Sequence, residues 1–104
     1  MTDYYQYSAP ELVRMLGERF KEYRMRADMT QKEVAEQAGL APITVHKFEN
    51  GTALNVTLPT FLLLLKAVGC IQQLDDLLPE LPTDPYLLDS RNKKVQRIRH
   101  KKDE

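Results

Sequence analysis

The 104-residue chain has the length of one domain and carries equal numbers of basic and acidic side chains, fifteen of each. Its 42 % apolar content is typical of globular proteins, and a chain this long can bury its own core. The single cysteine, Cys70, excludes an internal disulfide and suits a reducing compartment. The N-terminus lacks a signal-peptide pattern, and the most apolar run, residues 58–68, is too short to span a membrane. We therefore expect a cytoplasmic protein.

The charge is unevenly distributed along the chain. Residues 91–104 hold seven Lys and Arg against two acidic residues, a net charge of +5, so residues 1–90 carry −5. A basic tail thus follows a mildly acidic body. The neutral total does not exclude binding to nucleic acid, because the local field at a contact surface matters more than the sum.

The first predicted element is a long helix that follows a short N-terminal arm, residues 1–7. Ser8 and Glu11 have the spacing of a capping box, with Pro10 tolerated in the first turn. We expect the helix over about residues 9–27. Its apolar residues recur every three to four positions and are expected on one face: Leu12, Val13, Leu16, Phe20 and Tyr23.

Two short helices are predicted next. Thr30 and Glu33 form a second capping-box pattern, and Gly39 is placed to end this helix in a left-handed conformation. A third helix is expected over residues 42–49, followed by the turn signal Asn50-Gly51.

Two further helices complete an all-α body, residues 8–78. Thr57 can cap a fourth helix over residues 58–68, whose many leucines predict burial on more than one side. A fifth, shorter helix is predicted over residues 71–78 and ends before a proline. A proline-containing linker and the basic tail follow, residues 79–104.

Residues 30–51 carry the functional signal. They predict two helices joined by a tight turn at Gly39, where the missing Cβ lets the chain reverse direction while the helices stay in contact. Ala35 and Ala38 are small enough for a close crossing. A helix of the length predicted after the turn fits the major groove of double-stranded DNA. This segment therefore predicts a DNA-binding helix-turn-helix.

The segment resembles the lambda-repressor-like helix-turn-helix family, also called the XRE family. The Thr30-Gln31 pair, Ala35, Gly39 and the run Glu49-Asn50-Gly51 occur at the family's spacings. The resemblance covers about residues 11–78 and implies the five-helix fold of that family. The free amides at the start of the first helix of the pair, at Thr30, are placed to meet a phosphate. By position the resemblance implies DNA contacts by seven further residues: Gln31, Pro42, Ile43, Thr44, His46, Lys47 and Asn50. Pro42, Ile43 and Lys47 occupy base-reading positions, and Thr44 and His46 lie beside them. Of these, Gln31 and Asn50 are expected near the DNA backbone.

The third helix departs from the family pattern at its start, where polar residues are more common. Pro42 and Ile43 cannot donate hydrogen bonds to base edges, although apolar side chains can contact a thymine methyl group. Direct readout by hydrogen bonds is therefore expected to depend mainly on Lys47, Thr44 and His46.

A narrower resemblance concerns the layout of the whole chain. The run 48–51, the leucine-rich fourth helix, the segment 74–78 and the basic tail after a linker are similar to HipB-type proteins. The resemblance implies a repressor of a toxin–antitoxin operon with a HipA-like kinase toxin as partner. Two alternatives stay open: a solitary XRE-type regulator without a toxin, and a protein-interaction module with weak DNA binding.

Size and charge extend these expectations. One small module buries too little surface for tight operator binding, so we expect a two-fold homodimer on half-sites about one helical turn apart. The tail has three open roles: a solvated segment, a clamp on phosphates, or a segment that folds on a protein partner. Its possible phosphate contacts are Lys93, Lys94, Arg97, Arg99 and Lys101.

The sequence gives no sign of catalysis. Neither histidine, His46 or His100, has a serine or cysteine placed with it, and the chain contains no glycine-rich phosphate loop. Metal-ligand spacing is also missing. We therefore expect no enzymatic activity, no bound metal and no cofactor.

Overall fold

The structure, a computed structural model, describes residues 2–53 and 55–82. The α-helices in this part of the chain are α1 (Ala9–Arg26), α2 (Gln31–Ala38), α3 (Pro42–Glu49), α4 (Leu58–Ala67) and α5 (Leu74–Leu77), and short 3-10 helices occur at Tyr4–Gln6 and Ile71–Gln73. No strand occurs among these residues, which confirms the all-α prediction. The five possible phosphate contacts of the tail lie outside the described residues.

The helix starts follow the capping residues expected from the sequence. Ser8 accepts a hydrogen bond from the Glu11 amide (3.3 Å), and the Glu11 carboxylate accepts one from the Ser8 amide (2.9 Å). Thr30 and Glu33 form the same box at the start of α2, at 3.1 and 2.9 Å. In each box the backbone amide stabilises the charged carboxylate and lowers the pKa of the glutamate. Thr57 caps α4 through its side chain.

The turn between α2 and α3 depends on Gly39, as expected. Its φ of +71° lies in the left-handed region, and the Leu40 amide donates to the Ala35 carbonyl at 2.9 Å. A Cβ at Gly39 would meet no atom within 4 Å. Glycine is therefore favoured here by backbone conformation and not by space.

The helices α1–α4 and the 3-10 helix Ile71–Gln73 form one compact unit, and α5 belongs to a second. In the first unit α2 packs on α3 and α4, while α1 packs on α3. The ring of Phe48 lies 5.6 Å from that of Phe20 and 6.0 Å from that of Phe61, measured between centroids. The buried apolar core comprises Phe20, Val34, Ala35, Ala38, Val45, Phe48, Leu64 and Val68. Because the Phe48 side chain is part of this core, it holds the inner face of α3 against the rest of the unit.

The inward face of α1 differs from the prediction. Leu16 and Tyr23 were expected on one face with Phe20, which is buried, but they are 42 % and 49 % exposed. Gly17 lies on the inward face instead, because a Cβ there would overlap the carbonyl oxygen of Phe48. The backbones of α1 and α3 thus meet directly, and a large side chain has no room at this point.

The fourth and fifth predicted helices are also corrected. α4 ends at Ala67, and within its leucine run only Leu64 is fully buried, whereas Leu63 is exposed. The continuous helix predicted over residues 71–78 is a 3-10 helix followed by the four-residue α5, because the Gln73 amide bonds to the Cys70 carbonyl three residues back. Within residues 2–53 and 55–82, no helix has the length and apolar content needed to cross a membrane.

Candidate nucleic-acid interface

The outer face of α3 is free of packing. Val45, Phe48 and Glu49 face inward and are buried, which fixes the helix against α1 and α2. The predicted base-reading residues lie on the remaining surface. Pro42, Ile43, His46 and Lys47 are exposed, and Thr44 is half-buried. The structure therefore brings the five predicted residues of α3 together on the part of this helix that is not buried, with apolar Ile43 and charged Lys47 four positions apart.

The start of α3 has no side-chain cap. Ala41 occupies the N-cap position, Pro42 is the first helical residue, and the Thr44 amide bonds to the Ala41 carbonyl at 3.0 Å. Proline tolerates this position because the first amide of a helix has no intrahelical partner. The apolar start of α3 is thus accommodated without loss of a backbone hydrogen bond.

An ion pair between half-buried Arg24 and buried Glu49, which the residue pattern did not predict, holds the end of α3. Arg24 Nε donates to Glu49 Oε2 at 2.7 Å, and Arg24 Nη2 donates to Glu49 Oε1 at 2.9 Å. Glu49 is only 5 % exposed. The hydrogen bond to the Glu49 carboxylate raises the pKa of Arg24.

The same cluster reaches the start of α2. Arg24 Nη1 donates to the Met29 carbonyl at 2.7 Å, and Gln31 Nε2 donates to Glu49 Oε1 at 3.1 Å. The half-buried Gln31 amide, predicted to contact a phosphate, is therefore held by Glu49 while its second amide hydrogen is free to donate. Thr30 lies beside it and is exposed. An open cleft borders this point, lined by Arg24, Met25, Asp28, Met29, Thr30, Gln31 and Lys32.

Asn50, the last of the eight predicted residues, follows α3 and is exposed. Its Oδ1 accepts hydrogen bonds from the Thr52 amide (3.1 Å) and hydroxyl (2.7 Å). Its Nδ2 lies 3.1 Å from His46 Nε2. Asn50 is thus held between the turn after α3 and the outer face of the helix.

The sequence analysis did not identify Arg24 and Glu49, the two residues that hold the helices of this surface together. Glu49 was recognised only as part of the run Glu49-Asn50-Gly51. The available signal was Arg24 itself, four residues after the core residue Phe20 and therefore on the inward face of α1. A half-buried arginine favours an anionic partner, and Glu49 is the buried acid that supplies it.

Across residues 2–53 and 55–82, no group of three or more His, Cys, Asp and Glu side chains could hold a metal ion.

Two helices in contact across a glycine turn, the second with an exposed outer face, define a helix-turn-helix protein. In domains of this class the second helix enters the major groove of DNA. The helix-turn-helix domain family matches residues 15–80 of the chain, and the protein belongs to that family. No curated protein and no solved structure shows a significant match to the chain.

Proposed function

We propose that this protein is a cytoplasmic, sequence-specific repressor of the XRE type that binds double-stranded DNA as a homodimer. The observation that carries the proposal is the exposed face of α3 on a helix whose inner face is fixed by Phe48 and Glu49. A helix held in this way can present side chains to base edges without first having to fold.

The proposed contacts are of two kinds: contacts to phosphates, which position the protein on DNA, and contacts to base edges, which read the sequence. Thr30 and Gln31 at the start of α2 lie where backbone amides and a side-chain amide can receive a phosphate. Lys47 supplies donors that match the acceptor edge of guanine, and Ile43, 54 % exposed, supplies an apolar surface for a thymine methyl group. Thr44 and His46 add hydrogen-bonding groups beside them, Pro42 adds an apolar contact, and Asn50 lies toward the DNA backbone.

We expect Lys47→Ala to weaken binding to a specific duplex by about 1–3 kcal/mol, because a base-edge contact is lost. The duplex is selected from a random pool by the full-length protein, and affinity is measured by fluorescence anisotropy. Lys21→Ala, which removes an exposed lysine from α1, is the matched control and should change affinity much less. An unchanged affinity of Lys47→Ala would mean that α3 does not read the bases.

The proposed dimer follows from the small size of one module and from exposed leucines. In the first unit Leu58 and Leu63 are exposed, and in the second unit Leu77, Leu78 and Leu81 are exposed. Burial of such side chains is a common source of dimer stability. Sedimentation equilibrium should give twice the 12.1 kDa chain mass for the free protein, and that mass plus the mass of the duplex for the complex. A monomer in both conditions contradicts the dimer.

We propose that the basic tail acts as a clamp on phosphates that flank the specific site. Changing Lys93, Lys94, Arg97 and Arg99 to glutamine in the full chain removes four positive charges. If each neutralises one phosphate, the slope of log affinity against log salt becomes shallower by about 3.6. An unchanged slope would assign the tail to solvent or to a protein partner.

The biological context of the proposal rests on the resemblance to HipB-type proteins. It predicts tight binding to DNA upstream of the protein's own gene and a neighbouring gene for a HipA-like kinase toxin. Tight binding without such a gene favours the solitary XRE-type regulator. Equal affinity for upstream and random DNA favours the protein-interaction module.

A further inference from the structure

A short chain of hydrogen bonds on the protein surface joins the turn after α3 to His46. The Thr52 amide and hydroxyl both donate to Asn50 Oδ1, at 3.1 and 2.7 Å. The other end of the Asn50 amide lies 3.1 Å from His46 Nε2. All three residues are exposed, so the chain of bonds lies on the surface that α3 presents.

The Thr52 amide, which is shared between Asn50 Oδ1 (3.1 Å) and the Lys47 carbonyl (3.0 Å), indicates which way the Asn50 side chain points. The Thr52 hydroxyl also lies 3.4 Å from the Lys47 carbonyl. A backbone N–H can only donate, so the atom of Asn50 that faces it is the acceptor, Oδ1. The Nδ2 group, which can only donate, then faces the imidazole of His46. His46 Nε2 must therefore accept, and in a neutral ring the proton resides on Nδ1.

We propose that Asn50 and Thr52 are positioning residues that place the proton of His46 on Nδ1, so that His46 offers DNA one hydrogen-bond donor and no acceptor. The proposal rests on the proposed DNA-binding function. Its ligand is a hydrogen-bond acceptor of DNA, either on a base edge (N7 of a purine, O6 of guanine, O4 of thymine) or on a phosphate.

The hydrogen bond to Asn50 restricts His46 to donating, whereas an unrestrained histidine can either donate or accept. A neutral imidazole with either nitrogen free can donate or accept, and so can pair with the amino group of cytosine or adenine as well as with an acceptor. With Nε2 already bonded to Asn50, only Nδ1–H is left. Among the described residues, the hydrogen bonds of this ring engage Nε2 alone.

The first test is a spectroscopic one on the free full-length protein. Long-range ¹H–¹⁵N correlation above about pH 8, where imidazoles are neutral, reports which ring nitrogen carries the proton. We expect the Nδ1–H pattern for His46. Asn50→Ala should shift the population toward Nε2–H, the form that free imidazoles prefer in water. Asn50→Asp should do so more completely, because a carboxylate can only accept. Loss of the His46 signals in His46→Gln assigns them.

The second test uses duplexes selected from a random pool by the full-length wild type. We expect about a fivefold loss of affinity in His46→Ala, for the loss of one hydrogen bond. If the acceptor is on a base edge, the preference at one acceptor-bearing position should also be lost in His46→Ala and relaxed in Asn50→Ala. 7-Deazaguanine at that position should remove the His46 contribution if a base N7 is the acceptor. A methylphosphonate should remove it if a phosphate is the acceptor.

The outcomes separate this inference from the proposed function. An Nε2–H pattern in the wild type overturns the positioning role, whatever the DNA results. An Nδ1–H pattern with no DNA selected supports the positioning role and contradicts the proposed function. Selected DNA with equal preferences in wild type and His46→Ala, and no response to the phosphate substitution, overturns the contact by His46.

Discussion

We expect Glu49→Ala to lower the free energy of unfolding by about 3 kcal/mol, because it leaves the largely desolvated Arg24 guanidinium without its anionic partner. The Arg24 side chain is 11 % exposed and the Glu49 side chain 2 % exposed, so water cannot take over the lost contacts easily. The substitution also removes the acceptor of the Gln31 amide. Urea unfolding followed by circular dichroism measures the change.

Two matched variants show whether the ion pair itself is responsible. Glu49→Gln keeps the shape and one acceptor but removes the charge, and should fall between Glu49→Ala and the wild type. The double variant Arg24→Met, Glu49→Leu replaces both charges with apolar groups and should lose much less than Glu49→Ala, because no charge is left buried. A double variant less stable than Glu49→Ala would show that packing at this point matters more than charge.

We expect Gly17→Ala to lower the free energy of unfolding by about 3 kcal/mol, although alanine is the better helix former. The added Cβ would overlap the Phe48 carbonyl oxygen, and both groups belong to helix backbones that cannot move alone. α1 and α3 would have to separate. Helix propensity alone predicts the opposite sign, a gain of about 1 kcal/mol. The sign of the change in urea unfolding therefore decides between the two effects.

Gly39→Ala is the control for this prediction. The space around Gly39 is open, so the only penalty is the left-handed backbone, about 1–2 kcal/mol. Gly39→Asn should recover part of that loss, because asparagine tolerates this conformation better. A Gly17→Ala variant as stable as the wild type would mean that the α1–α3 contact adapts at little cost.

The local features of the fold could be predicted from the sequence because they depend on neighbouring residues. Ser8, Thr30 and Thr57 cap helices, and Gly39 ends α2 in the left-handed conformation. These interactions join positions at most a few residues apart, so the residue types at those positions are enough to indicate them. The exposed face of α3 was predictable for a related reason, since Val45 and Phe48 mark the opposite, buried face.

The features that depend on contacts between distant segments could not be predicted in the same way. Apolar spacing favoured Leu16 and Tyr23 for the inward face of α1, but the proximity of the Phe48 backbone selects Gly17. The partners Arg24 and Glu49 are 25 positions apart, and each is of a charged residue type that usually lies on the protein surface. Likewise, the hydrogen bond between Asn50 and His46 depends on the backbone conformation of the turn at Thr52.

The cluster around Arg24 connects the end of α1, the segment before α2 and the end of α3 through a single guanidinium. These three segments are already held together in the free protein. The loss of conformational entropy on ordering α2 and α3 therefore occurs during folding, and it does not reduce the affinity for a ligand. The surface is preorganised by a residue on a helix outside the helix-turn-helix pair. A change at Arg24 would therefore weaken a complex through loss of order in the free protein, without any altered contact to the ligand.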